Sequence, residues 1–278
     1  MAIAEVIKYE GEPEQEKKEQ LKKTLIIAVS LAIFTLITIF VVTKVVVPNN
    51  RYNQAVSTVN SGNIIDGYEA LIALNGYKDS DTIADNIYSQ YSLLTANVGD
   101  YVCFGNYEQD NNTSDGKENI EWLVLAKDGN RILVISRYAL DCQQYNTSYT
   151  SVTWETCSLR KWLNGTFLNA AFSEEERAMI PSVSVSADKN PSYSTDPGNS
   201  TTDQVFLLSI TEANKYFSSD EARKCAPTDY AVAQGAWTSD SNKVDGRAAC
   251  WWWLRSPSFN SSGAADADSG GSVRAHGD

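Results

Sequence analysis

The chain has 278 residues, 42% hydrophobic and 21% charged, with a formal net charge of −12; that composition suits a folded domain with accessory segments. The acidic balance excludes a nucleic-acid partner, which needs clustered Lys and Arg against phosphates. One histidine, His276, and five cysteines without a C-x-x-C pair exclude Ser-His-Asp and most zinc chemistry, so neither metal nor other cofactor is expected.

Residues 1–23 are polar, and they include five lysines: Lys8, Lys17, Lys18, Lys22 and Lys23. Thr24 to Thr43 then runs for twenty residues without a charge, Pro or Gly. At 1.5 Å per residue such a helix covers about 30 Å, the thickness of a bilayer's hydrocarbon. No polar face recurs at helical spacing, which argues against a core helix. The run is too long for a signal-peptide core, and no small-x-small site follows it. Residues 24–47 are therefore expected to span a membrane and contact its lipid. The lysines place residues 1–23 in the cytoplasm as a short tail, with the chain from about Pro48 outside the cell membrane.

Residues 48–96 read as a helical stalk. Tyr52, Val56 and Val59 fall at helical spacing, Ser61-Gly62-Asn63 breaks the pattern, and Ile64 to Leu74 resumes it. Asp79 to Tyr91 carries Ile83, Ile87 and Tyr91 at intervals of four. The stretch resembles one degenerate tetratricopeptide-type hairpin. A single copy cannot build a peptide-binding array, so it acts as a spacer or docks a membrane partner.

The composition changes after Asn97, and residues 97–278 read as one α+β domain. Strands are expected near Val98–Gly105, Glu121–Leu125, Arg131–Ile135 and Val205–Leu208, with a hairpin turn at Lys127–Asn130. Ser173 with Glu176 matches a capping box. Lys189 to Asp203 is rich in Ser, Thr, Pro and Asn and reads as a surface loop. Asn112, Asn146, Asn164, Asn199 and Asn260 open Asn-x-Ser/Thr sequons. The loop from Asp110 half-matches a calcium loop, with Glu121 twelfth, but Gly116 falls one place late and strands flank it, so no metal is expected.

Outside a membrane, disulfides are permissible. Cys142 and Cys157 flank fourteen residues, and closing such a loop contributes about 3 kcal/mol in the chain-entropy model. Cys225 and Cys250 form the other candidate pair. The competing reading is buried free thiols.

From Cys250 the chain runs through three tryptophans, Trp251 to Trp253, into Leu254-Arg255-Ser256-Pro257 and then a small, polar tail. Two strands, Ala264–Ala267 and Ser272–Ala275, fit around Asp268-Ser269-Gly270-Gly271. Side chains alternate along strands. Ala265, Ala267, Val273 and Ala275 then face the tryptophans, and Asp266, Asp268, Arg274 and His276 face solvent. That outward set suits ligand contact; an ordinary solvated hairpin face is the plainer reading. The tail has no G-x-S-x-G context, and no catalytic residue is expected.

The motifs VGDYVCFGNYEQDNN, IEWLVLAKDGNRILVISRYALDCQQYN, TWETCSLRKWLNGTFLNAAFSEEE, QVFLLSITEANKYF and CWWWLRSPS followed by AA and GGSV together carry a resemblance. They resemble an uncharacterised domain of bacterial surface proteins that is similar in fold to C-type lectins and formylglycine-generating enzymes. The resemblance covers roughly Asn97 to Asp278. It implies a membrane-anchored, non-catalytic, lectin-like domain that binds an extracellular protein or glycan. Some lectin-fold members are diversified by retroelements beyond the Trp-Leu-Arg-Ser-Pro motif. By position, Phe259, Asn260, Ser261, Ser262, Asp266, Asp268, Ser269, Arg274 and His276 would contact ligand. The family's closing strand, reading like Val-Arg-Pro-Ala-Leu, is not found before Asp278. The alternatives are an oxidase of the formylglycine-generating type, using Cys225 and Cys250, or a structural protein that docks a partner.

Overall fold

The computed structural model describes residues 14–275, in two units that meet between Tyr88 and Ser89. In the first unit, α1 (Glu14–Val41) carries the apolar run, a π-helical segment follows at Val42–Val46, and α2 (Val47–Asn60) continues without a break. The resulting 47-residue helix is long and apolar enough to cross a membrane. Its side chains are exposed all round from Glu14 to Val47, as suits a helix solvated by lipid. Thr35, Thr38 and Thr43 donate their hydroxyls to the carbonyls of Leu31, Phe34 and Ile39, each at 2.8 Å, which satisfies these three donors within the helix itself. Pro48 does not interrupt the helix. It sits in the first turn of α2, just past the π-helical segment. Proline removes a backbone donor and crowds the carbonyl four residues back; a wider turn immediately upstream relieves that crowding.

The stalk folds as its apolar spacing predicts, with α3 (Ile64–Ile72) and α4 (Ser80–Thr95) after α2. Asn63 caps α3 by accepting from Asp66 N–H. Ala55, Leu71 and Ala84 form the buried centre. Gly67 is required where α2 and α3 meet: a Cβ there would lie 2.5 Å from Val59 Cγ2 and 3.0 Å from Val59 N.

The second unit begins inside α4, earlier than the change in composition, because Leu93 and Ala96 already pack with Val102 and Val124. β1 (Tyr101–Tyr107), β2 (Glu118–Asp128) and β3 (Arg131–Ser136) form an antiparallel meander. Asp128 pairs with Arg131 across the expected turn, where Gly129 has φ +60°. α5 (Ser158–Trp162), a second π-helical segment (Leu163–Phe167), α6 (Leu168–Ala171) and α7 (Glu174–Met179) follow. The Ser173–Glu176 capping box is present, and Glu176 also accepts from Gly105 N–H at 3.1 Å, tying α7 to β1. A ribbon of β4 (Val183–Val185) and β5 (Thr201–Asp203) precedes α8 (Ile210–Tyr216), α9 (Asp220–Arg223) and α10 (Asp229–Ala233). β6 (Lys243–Val244) and β7 (Arg247–Ala248) make a short hairpin. The C-terminal sheet contains β8 (Trp252–Pro257), β9 (Ala264–Ala267) and β10 (Val273–Arg274), with β9 in the middle.

The expected strand Val205–Leu208 does not form. Its carbonyls serve Arg255 instead: Leu208 O accepts from Arg255 N–H at 2.9 Å and Leu207 O from Nη1 at 2.8 Å. Two apolar clusters share the interior. One surrounds Ile120, Trp154 and Phe167; the other surrounds Leu125, Phe217, Leu254 and Ala265. Leu254 is fully buried. Leu254→Ala should lower unfolding stability by about 3 kcal/mol, from lost transfer energy plus a residual cavity. Denaturant titration followed by tryptophan fluorescence measures this; a loss below about 1 kcal/mol would mean the second cluster is not tightly packed.

Candidate functional site

β8 carries the tryptophan–leucine–arginine–serine–proline run, and its residues turn inward. Arg255 is 3% exposed. Its guanidinium donates to Ser186 O at 3.2 Å, to Leu207 O, and to both oxygens of Glu212. Asp188 Oδ2 lies 3.5 Å away and also accepts from Ser209 Oγ at 2.6 Å. Glu212 and Ser209 are the two members of the capping box that starts α8. Ser256 Oγ accepts from Ile210 N–H at 3.0 Å, and Asn190 Nδ2 donates to Pro257 O at 2.8 Å. A buried charge survives only when its donors are filled and its charge is matched; here both hold.

The tryptophans divide their duties. Trp252 Nε1 donates to Arg223 O at 3.1 Å, and its ring faces Phe217. Trp253 Nε1 donates to Gln143 O at 3.1 Å, beside Tyr145. Trp251 meets Trp253 edge-on at 4.8 Å.

Above this base the expected contact residues separate into two groups. Ala265, Ala267 and Val273 pack inward as alternation predicts. Asp266 does not face solvent: it is 1% exposed. Because β9 is the middle strand, Asp266 lies opposite Trp253 on one side and Arg274 on the other. Arg274 binds Asp266 Oδ2 through Nη2 at 2.6 Å and Nε at 3.2 Å. Ser269 is also buried, accepting from Asn242 Nδ2 at 3.0 Å. Asp268 shapes the turn, its Oδ1 accepting from Gly270 N–H at 2.8 Å and Ser272 N–H at 3.0 Å. The turn is not displayed but docked on α9. Arg223 Nε donates to Gly271 O at 2.7 Å, and Ser272 Oγ to Asp220 Oδ2 at 2.7 Å. Gly271 has φ +86°, and a Cβ there would fall 1.8 Å from Asp220 O, so only glycine fits.

Phe259, Ser261 and Arg274 are exposed, and Asn260 and Ser262 are half-buried. His276 lies outside the described residues. The loop holding Phe259 is cross-braced. Asn260 Oδ1 accepts from Ser262 N–H and Oγ, each at 3.0 Å, and Phe259 N–H donates to Ala275 O at 2.8 Å. Two further loops join it, one around Ser151 and the other the Lys189–Asp203 loop. Val152 N–H donates to Ser261 O at 2.7 Å, and Ser151 and Ser261 share a hydroxyl hydrogen bond at 2.9 Å. Thr195 Oγ1 donates to Phe259 O at 3.2 Å, and the Tyr193 ring lies 6.2 Å from that of Phe259. The lone aromatic within the Ser/Thr/Pro/Asn-rich loop was the one available signal for Tyr193. The assembled patch has two exposed rings, Phe259 and Tyr193, with hydroxyls and amides around them.

The cysteines are all thiols in the structure. Cys142 and Cys157 are not brought together. Cys157 is buried, its sulfur donating to Trp154 O at 3.4 Å and accepting from Arg160 N–H at 3.4 Å as the cap of α5. Cys142 instead feels Cys250. Cys225 and Cys250 do meet: they form an isolated antiparallel bridge, with Cys250 N–H donating to Cys225 O at 2.8 Å. A hydrogen bond with Cys225 and burial raise the Cys250 thiol above its ordinary range. Burial likewise raises Cys157, Cys142 and Cys103. Such thiols stay protonated at neutral pH and are poor nucleophiles. Antiparallel partners lie about 5 Å apart at Cα, inside the range a disulfide spans. Oxidised glutathione should therefore link Cys225 to Cys250 and leave Cys157 free, read by mass spectrometry of unreduced peptides. A Cys142–Cys157 peptide would contradict the geometry.

Among known proteins, residues 129–277 match a family described as "Domain of unknown function (DUF6273)". No curated protein and no solved structure matches the chain. The match starts in the β2–β3 turn and includes β8, β9, β10 and the loop of Phe259. It spans more than half of the residues, and the chain belongs to the DUF6273 family.

Proposed function

We propose that this chain is a single-pass surface protein whose second unit, a non-catalytic domain of C-type-lectin-like fold, binds an extracellular protein or glycan. The observation that carries the reading is the Phe259–Tyr193 pair, two exposed rings on hydroxyl-bearing loops that are cross-braced through Ser151 and Thr195. Exposed aromatic faces bracketed by hydroxyls and amides suit sugars and polar protein surfaces. The apolar helix supports an anchor, and the lysines before it support a cytoplasmic N-terminus. On intact cells a membrane-impermeant amine reagent should label Lys189 and Lys215 but not Lys17 or Lys18; the reverse pattern would invert the topology.

Ligand binding is tested with the full chain in detergent micelles on glycan and protein arrays. Phe259→Ala and Tyr193→Ala should each weaken a captured ligand by about tenfold, the 1–2 kcal/mol typical of an exposed aromatic contact, without lowering thermal stability. Binding insensitive to both would remove the patch from the reading and favour a domain that docks a partner by another face.

The meeting of Cys225 and Cys250 favours one other reading, an oxidase of the formylglycine-generating kind. The raised Cys250 thiol weighs against it. Oxygen-dependent turnover of a cysteine-containing peptide by the purified chain would replace the binding reading.

A further inference from the structure

The ends of β1 and β2 place three carboxylates together. Glu108 directly follows β1, Glu118 opens β2 opposite Tyr107, and Asp110 lies in the loop between them. One oxygen from each falls within 4.8 Å of the other two. Glu118 Oε2 accepts from Gln109 N–H at 2.6 Å and Asp110 N–H at 3.3 Å, and Asp110 Oδ1 accepts from Asn112 N–H at 2.8 Å. Each of these two therefore keeps a second oxygen outside its loop hydrogen bonds. Glu108 is 8% exposed, and its Oε1 is buried with no hydrogen-bond donor. Among the described residues no lysine or arginine forms an ion pair with Glu108, Asp110 or Glu118. Glu121, the twelfth residue from Asp110, is not part of the group; it accepts from Arg137 Nη1 at 2.9 Å.

A buried carboxylate oxygen without a donor, crowded by two like charges, is costly unless something positive sits between them. One proton would relieve a single contact of the three. A dication relieves all of them. The donors are oxygens only, which selects a hard cation over zinc or copper. Calcium–oxygen bonds of 2.3–2.6 Å put opposite ligands about 4.6–5.2 Å apart, and oxygens that all lie within 4.8 Å of one another fall inside that span. Three carboxylates on one loop also suit calcium's tolerant geometry better than magnesium's rigid octahedron.

We propose that Glu108, Asp110 and Glu118 form a calcium site that fastens the β1–β2 loop. The site is independent of the ligand-binding patch and of the reading built on it. The test uses the full chain in detergent micelles, stripped with chelator and titrated with calcium chloride by calorimetry and thermal unfolding. One site with a dissociation constant of about 10⁻⁴–10⁻³ M is expected, the range of extracellular modules, with a rise in Tm. Asp110→Asn, at an exposed position, should weaken calcium by about tenfold or more. Glu108→Gln should also weaken it, and should raise Tm in the chelated protein because the buried charge is gone. Asp115→Asn, in the same loop but outside the cluster, should bind as the native chain does. No calcium-dependent heat or Tm shift up to about 10 mM would overturn the proposal and leave Glu108 held by a proton. Equal loss in Asp115→Asn would overturn it too, as would unchanged binding in Asp110→Asn.

Discussion

A single buried guanidinium sets the terms for the C-terminal half of the molecule. Arg255, on β8, sits where the Ser186 segment, the Val205–Leu208 segment and the first turn of α8 converge, and it gives each of them a hydrogen bond. Burying that charge would be prohibitive alone, so its partners have little latitude. Glu212 must face it, which places the start of α8. The carbonyls of Leu207 and Ser186 must turn towards it, which forbids Val205–Leu208 from pairing as a strand. Ser209 and Asp188 close the ring. The Trp-Leu-Arg-Ser-Pro motif thus acts as an anchor: it holds three chain segments by one side chain.

That constraint explains which side chains reach solvent. With β8 fixed, β9 lies between β8 and β10 and is covered on both faces, so a strand of small residues is what fits. Ala264, Ala265 and Ala267 leave room for Trp252, Leu254 and Trp253 around them. Asp266 is the exception, and its charge is met by Arg274 across the pair. Exposure therefore shifts from the strands to the loop before β9. That loop gains stiffness from the segments carrying Ser151 and Thr195, far away in sequence.

Several of these features were legible in the residues. The apolar run, the stalk helices and their breaks, the Gly129 turn and the Ser173 box are local, and local chemistry specifies them. Alternation placed Ala265, Ala267 and Val273 correctly. It failed for Asp266, because period two assigns a residue to a face but not what lies over that face. The resemblance set Ser269 among the contact residues, but Asn242 covers it, and Asp220 and Arg223 hold the turn, all more than twenty residues upstream. Tyr193 was invisible as a partner of Phe259 for the same reason. Spacing alone, fourteen and twenty-four enclosed residues, did not separate the two cysteine pairings. The backbone bridge at Cys225 and Cys250 separates them, and Cys157 is spent on a helix cap.

The π-helical segment between α1 and α2 has a meaning beyond relieving Pro48. An α-helix turns by about 100° per residue. One residue absorbed in a wide turn therefore sets the azimuth of everything after it about that axis. The residues of α2 that meet α3, Ala55 and Val59 among them, carry that phase. The Val42–Val46 turn thus works as an angular gauge between the apolar span and the stalk. Rewinding it to an α-turn by loss of one residue would keep the helix continuous and the stalk folded. It would point the packed face of α2 in another direction around the helix axis.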